Sequence, residues 1–325
     1  MEKNQVTFAV FSDLHLDIMH DGEKRLEVFF RAAEAANVDF IIHLGDFCYP
    51  RGILGVDPEA ILPVNLKLSL EKPPIQPGKD VLLERFRNFP KPSYHVLGNH
   101  EMDFCTKAEA MEVYGMSSSW YSFRCKGWHF IVLDGNHFRN DRGELVPYGG
   151  AASYYRDQPY LGQAQLHWLE KELKTGPEPT VLFCHQPLNR RNRGLKDVDA
   201  FQEILARARK EGKQVRLCMN GHLHIDDLKI DNGVIYHALN SISNFWAGEE
   251  YETLRYPPEI EENYPSLRYT FPYARPVFAI VTLTEEELII RGRPGRFVQP
   301  GSRSFSYRPL PTSCVRSHRI SWPQL

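Results

Sequence analysis

The stretch Ser93-Tyr94-His95-Val96-Leu97-Gly98-Asn99-His100-Glu101 decides how the chain is read. Its first five residues, bounded by Pro92, form a short apolar run that predicts a buried strand. Gly98 turns the chain and leaves Asn99 and His100 at the strand's C-terminal end, where open α/β sheets bind their ligands. An Asn-His pair after a glycine also serves as a plain turn that satisfies its own backbone. Repetition argues for more than that. Four other predicted strands stop on the same kinds of atoms: Asp13 and His15, Asp46, His185, and His222 with His224. Oxygen and imidazole donors at five strand ends predict one metal centre gathered from the whole length of the chain.

Between these ends the pattern is that of an α/β protein. Residues 23–37 place Leu26, Phe29, Phe30 and Ala33 at helical spacing between strands predicted at 6–11 and 38–44. Strand, helix and strand at this separation form a βαβ unit, hence a parallel sheet. Further helices are predicted near 79–89, 106–114, 162–175 and 198–210. Strands at 120–124 and 129–134, joined by Lys126-Gly127, read as a hairpin. Prolines 50, 58, 63, 73, 74 and 77 mark residues 50–78 as an insertion on the C-terminal rim of the sheet. An aromatic, proline-rich excursion is expected at 244–276. The reading is one domain over 1–295 followed by an extended tail at 296–325, rich in Arg, Ser and Pro.

Composition narrows the function. In 325 residues, 42% are hydrophobic and 12% aromatic, enough for a large core. The formal net charge of −2 supplies no field for duplex nucleic acid or an anionic membrane. No apolar run approaches the ~18 residues of a spanning helix. The polar start, Met1-Glu2-Lys3-Asn4-Gln5, does not resemble a signal peptide, so a cytoplasmic location is expected. Six scattered cysteines without a Cys-x-x-Cys pair read as reduced thiols. His43, inside a strand, reads as structural.

The candidate ligands are two carboxylates (Asp13, Asp46), one amide (Asn99) and four imidazoles (His15, His185, His222, His224). Nitrogen and oxygen donors without thiolate suit transition metals rather than a Ca or Mg cage. Seven donors exceed one tetrahedral ion and suit two ions sharing a carboxylate, for which Asp46 is the natural bridge. Two divalent ions with two aspartates and a hydroxide leave a positive centre that attracts phosphate. A metal pair roughly 3.5–4 Å apart activates water and clamps phosphorus for in-line displacement.

Asp13-x-His15, Gly45-Asp46, Gly98-Asn99-His100-Glu101, His185 and Gly221-His222-x-His224 resemble, in order, the signature of the calcineurin-like metallophosphoesterases. The resemblance implies a four-layer α/β/β/α sandwich of mixed sheets with a dinuclear site at strand C-terminal ends. It implies Asp13, His15 and His224 on one metal, Asn99, His185 and His222 on the other, and Asp46 on both. It leaves His100 as the catalytic histidine that assists the leaving group while a metal-bridging hydroxide attacks phosphorus. The cofactors implied are two di- or trivalent ions, Mn, Fe or Zn. The region from Gly162 to Glu170 is similar to the purple acid phosphatase and cyclic-nucleotide phosphodiesterase branches, and manganese-dependent ADP-ribose diphosphatases share the layout. Tyr49 stands three residues after Asp46, where purple acid phosphatases carry an iron-binding tyrosine. Because His15 already fills that coordination place, Tyr49 reads as a packed aromatic.

The expected function is a hydrolase of small phosphorylated substrates, with a phosphodiester or a nucleotide diphosphate favoured. The alternatives are a phosphomonoesterase and an inactive metal-binding scaffold. Arg190 and Arg191, in the loop after His185, are candidate clamps for a second phosphate. Tyr154, Tyr155, Phe245 and Trp246 flank other strand ends and are candidates for stacking on a base.

Overall fold

Alternate residues of the first strand, β1 (Val6–Phe11), serve two different cores. Val6, Phe8 and Val10 enter one buried cluster, Ala9 and Phe11 another, as the two-residue period of an extended strand requires. In the computed structural model, which describes residues 4–47, 79–103, 105–150 and 158–322, that alternation builds four layers.

The first sheet runs β16 (His318–Ser321), β15 (Glu287–Gly292), β14 (Ala279–Leu283), β1, β2 (Phe40–His43), β3 (Ser93–His95). The second runs β10 (Asp227–Asp231), β11 (Val234–Ala238), β9 (Val215–Asn220), β8 (Thr180–Phe183), β5 (Trp128–Val132), β4 (Tyr121–Cys125). A small antiparallel pair, β6 (His137–Arg139) with β7 (Leu145–Pro147), follows β5. Phe8 stacks on Phe40 at 4.9 Å and meets Phe130 and Phe183 of the opposite sheet edge-on at 6.0 and 5.8 Å. Each such ring taken from water is worth about 1.5–3 kcal/mol, so the contact between sheets is a major source of stability.

Helices close the outer faces. Helix α1 (Gly22–Ala35), α2 (Lys79–Arg87) and α3 (Lys107–Tyr114) pack on the first sheet through Leu26, Phe29, Phe86 and Tyr114. Helix α4 (Gln163–Glu172) and α5 (Val198–Lys210) pack on the second through Leu166, Leu169 and Phe201. Thr106 caps α3 with a capping box, and Gly115 ends it in the left-handed region. The four-layer α/β/β/α sandwich is therefore the observed fold.

Strands β1, β2 and β3 are parallel, as are β5, β8 and β9. Their C-terminal ends collect on one edge of each sheet, which brings together residues that stand far apart in the chain.

The stretch read as an extended tail docks on the fold as far as it is described, to residue 322. Residues 318–321 form the edge strand of the first sheet, with Leu288 opposite Ile320. Val315 is buried between the sheets, and Trp322 lies 5.7 Å from Trp128. Arg316 Nε also donates to Asp226 Oδ2 at 2.6 Å. A few apolar residues suffice to dock it, and its Arg/Ser/Pro composition hides them. The 244–276 excursion holds a two-stranded sheet, β12 (Asn244–Trp246) against β13 (Thr270–Pro272). The 50–78 insertion and Tyr49, Tyr154 and Tyr155 lie outside the described residues. Cys105, Cys125, Cys184, Cys218 and Cys314 are free thiols. Among the described residues no helix is long and apolar enough to cross a membrane.

Candidate metal centre

The loop that follows β1 lies along the loop that follows β2. Asp13 N donates to Gly45 O at 3.0 Å and His15 N to Asp46 O at 3.0 Å. The backbone here is not extended, as the Asp-x-His spacing suggested. Asp13, His15, Asp46, His222 and His224 all have φ between 49° and 67°, in the left-handed region. A non-glycine residue held there costs about 1–2 kcal/mol, and such strain concentrates where function needs it. Two residues in that conformation still turn both side chains of each pair inward, by a different route from the one anticipated.

Two triads result. Asp13, His15 and His224 form one, and Asp46, His185 and His222 the other, with ligating atoms in each triad within 4.8 Å of one another. The triads abut. His15 Nε2 lies 3.3 Å from His224 Nε2 and 3.8 Å from Asp46 Oδ2, while His185 Nε2 lies 3.0 Å from Asp46 Oδ2 and 4.0 Å from Asp13 Oδ1. Two imidazoles are aimed from behind. His185 Nδ1 donates to Leu44 O at 2.7 Å and His224 Nδ1 to Asn244 O at 2.8 Å. A proton fixed on Nδ1 leaves the Nε2 lone pair facing the cluster, the outer-shell arrangement typical of metal-binding histidine.

The protonation states suit cations. Burial alone would raise Asp13, but His224 and His185 bring it down to about 2. Asp46 is likewise held well below the usual carboxylate range, against burial, first by His185 and then by His100. Burial pushes His15 and His222 down to about 3, so both are neutral imidazoles. Burial would lower His185 as well, yet the Asp46 carboxylate beside it raises it to about 9. A metal ion bound there would compete with a proton for these two side chains.

Asn99 is buried, and neither Oδ1 nor Nδ2 has a hydrogen-bond partner among the described residues. An orphaned buried amide is costly unless another ligand takes it up, which fits a coordinating role. Its neighbour His100 donates its backbone N–H to Asp46 Oδ1 at 2.9 Å. The His100 ring stands 5.4 Å from the His15 ring and belongs to neither triad. Its Nδ1 lies 2.6 Å from Asp103 Oδ2. Burial would lower His100, but the Asp103 and Asp46 carboxylates raise it to about 10.

Several residues at the centre escaped sequence reasoning. Asp103 orients His100; its sole signal was an acid three residues on, one turn of a 3₁₀ helix away. Glu101 ties the two loops together. Its carboxylate accepts from Gly98 N at 2.7 Å, Asp46 N at 3.0 Å and Phe47 N at 2.6 Å, and burial with Asp46 pushes it up to about 8. Ser241 Oγ and Ser243 Oγ donate to Asp13 O and Leu14 O, each at 2.8 Å. They brace the first loop from a segment no pattern linked to it.

Glycine is required where these loops touch. A Cβ on Gly98 would stand 2.1 Å from Asp46 Oδ1, and one on Gly221 would stand 2.6 Å from Asp13 Oδ2. Gly98→Ala is therefore expected to cost about 1–3 kcal/mol and to displace Asp46. Thermal unfolding and metal analysis check this; wild-type stability with full metal content would refute it.

Arg190 and Arg191 each pair with an aspartate. Arg190 Nη2 lies 3.2 Å from Asp227 Oδ2, and Arg191 pairs with Asp199 and donates to Lys196 O. Arg193 of the same loop is the arginine whose charge acts on His222. Phe245 is buried and stacked on Phe271, so it is packing; Trp246 is 45% exposed. His43 hydrogen-bonds His95 and stands in neither triad.

A family model for calcineurin-like phosphoesterases matches residues 6–226, a span running from before Asp13 to just beyond His224. A dimetal phosphatase from Danio rerio superposes with a TM-score of 0.61 at 14% identity, over 98% of this chain and 99% of that one. The solved structure of PhoD does so with a TM-score of 0.50 at 14% identity, over 99% of this chain and 70% of that one. At such identities the likeness is one of fold. No curated protein matches the sequence. Membership rests on the family model, which covers more than half of the chain and contains both triads. The chain belongs to the calcineurin-like phosphoesterase family and is a metal-dependent phosphoesterase.

Proposed function

We propose that the chain hydrolyses phosphodiesters or nucleotide diphosphates at two transition-metal ions, Mn, Fe or Zn. Asp13, His15 and His224 hold one ion, Asn99, His185 and His222 the other, and Asp46 is shared. The observation that carries this reading is the abutment of the two triads, with Asp46 Oδ2 3.0 Å from His185 Nε2 and 3.8 Å from His15 Nε2. Two ions bound there supply Lewis acidity and an activated water for displacement at phosphorus.

The chain's own residues do the rest. Asp103 accepts the Nδ1–H of His100, which presents Nε2 to the leaving-group oxygen as general acid. Against burial, the Asp103 carboxylate favours the protonated ring, the form a general acid needs. Glu101 and Ser241 hold the loops so that Asp46 and Asp13 do not swing out when charge gathers at the centre.

A substrate with a second anionic or aromatic group is favoured by the surroundings. Arg193 acts on His222, and exposed Trp246 follows closely on Asn244, whose carbonyl fixes His224. Arg190 and Arg191 join such a clamp by exchanging Asp227 and Asp199 for a second phosphate. Loss of a charged hydrogen bond of that kind costs about 1.5–3 kcal/mol, or roughly 10- to 100-fold in kcat/KM.

The comparison that tests this is kcat/KM for a bis-aryl phosphate, an aryl phosphate and ADP-ribose with one metal. The diester or ADP-ribose is expected to lead. A clear preference for the monoester would make the chain a phosphomonoesterase. Unchanged ratios in Arg190→Ala and Arg191→Ala would remove those two arginines from the site.

A further inference from the structure

The two triads are braced by different struts. Ser241, Ser243 and Asn244 hold Asp13, the loop before His15, and His224, all from one segment. The loops that carry Asn99 and His185 are joined by a separate buried bridge. Asn136, just beyond β5, donates from Nδ2 to Leu97 O at 2.8 Å, two residues before Asn99. Gln186, next to His185, donates from Nε2 to Asn136 Oδ1 at 2.7 Å. Both side chains are buried, at 0% and 1% exposure, so both bonds are shielded from bulk water.

The bridge is itself held rigidly. Asn136 N donates to Asp134 Oδ1 at 2.9 Å, and Lys107 Nζ stands 2.6 Å from Asp134 Oδ2. Gln165 takes both backbone groups of Asp134, each at 2.8 Å. Gly135 leaves room for the approach: a Cβ there would stand 2.3 Å from Gln186 Oε1. A buried chain of this kind runs from α3 under the first sheet to the strand end of the second, and it crosses the gap between the two loops.

We propose that the Asn136–Gln186 bridge sets the separation of Asn99 and His185, and so tunes the affinity of the ion held by Asn99, His185 and His222 while leaving its neighbour alone. Asn136 and Gln186 are positioning residues: they touch no ligand atom and act through the loops that bear them. The inference rests on the two-metal reading above. Outer partners of this kind typically carry 10- to 100-fold in metal affinity.

Titration of the metal-stripped full chain with Mn²⁺ tests the bridge without reference to activity. Wild type should take up two equivalents. In Gln186→Met, which keeps the volume and removes the donor, the first equivalent should bind as in wild type and the second about 10- to 100-fold more weakly. Asn136→Ala should do the same, and the double variant should be no worse than the more impaired single one, because both act through one bridge. If Asn136→Ala does not fold, Gln186→Met decides alone. Equal weakening of both equivalents, or none, would overturn the bridge. A single equivalent in wild type would instead overturn the two-metal reading.

Discussion

His100→Ala is expected to keep both metal ions and to lose about 10²–10⁴ in kcat toward esters with poor leaving groups, the range of acid–base assistance. The ring lies outside both triads, so no ligand is removed. The substitution deletes the ring's hydrogen bond with Asp103 and spares the backbone N–H that Asp46 accepts. An aryl ester whose phenolate leaves without a proton should suffer much less. The ratio of the two losses is therefore the diagnostic, with metal content measured on the same sample. Loss of an ion in this variant would make His100 a ligand and overturn its assignment as acid.

Asp46→Asn should do the opposite, emptying the centre before it impairs any proton transfer. Asp46 Oδ2 lies 3.0 Å from His185 Nε2 and 3.8 Å from His15 Nε2, so both ions would lose negative charge at once. Asparagine keeps an oxygen for the His100 N–H and nearly the same volume, which preserves the loop. Metal content should fall from two ions to one or none. Activity should fall by more than the ~10–100-fold typical of an outer-shell partner. Metal analysis and single-turnover hydrolysis read the two effects separately; a variant holding two ions would show that Asp46 is not shared.

The strand ends were legible because each is a local pattern, an apolar run that stops on Gly-Asp, Gly-Asn-His or a lone histidine. Their convergence was legible only from their recurrence, since Asp13 and His224 stand more than two hundred residues apart. Backbone conformation was not. Nothing in Asp13-Leu14-His15 announces two left-handed residues, a region that favours glycine and asparagine. The braces were hidden for another reason. Ser241, Ser243, Asn136 and Gln186 act through single hydrogen bonds across the fold, and ordinary polar residues in loops carry no spacing that betrays such a partner. The C-terminal strand was hidden by composition, because His318-Arg319-Ile320-Ser321 offers one apolar residue to the sheet. In the arginine loop, two of the three arginines pair with aspartates, partners that the run of charge does not announce.

Metal removal and return bears on the whole scheme at once. The chain stripped by chelator should hydrolyse none of a panel of phosphate esters and anhydrides. Reconstitution with Mn, Fe or Zn should restore hydrolysis of at least one of them, rising with the second equivalent bound rather than the first. Hydrolysis that persists in the stripped protein, or two bound ions without hydrolysis of any member of the panel, would contradict a two-metal phosphoesterase and leave the centre a scaffold.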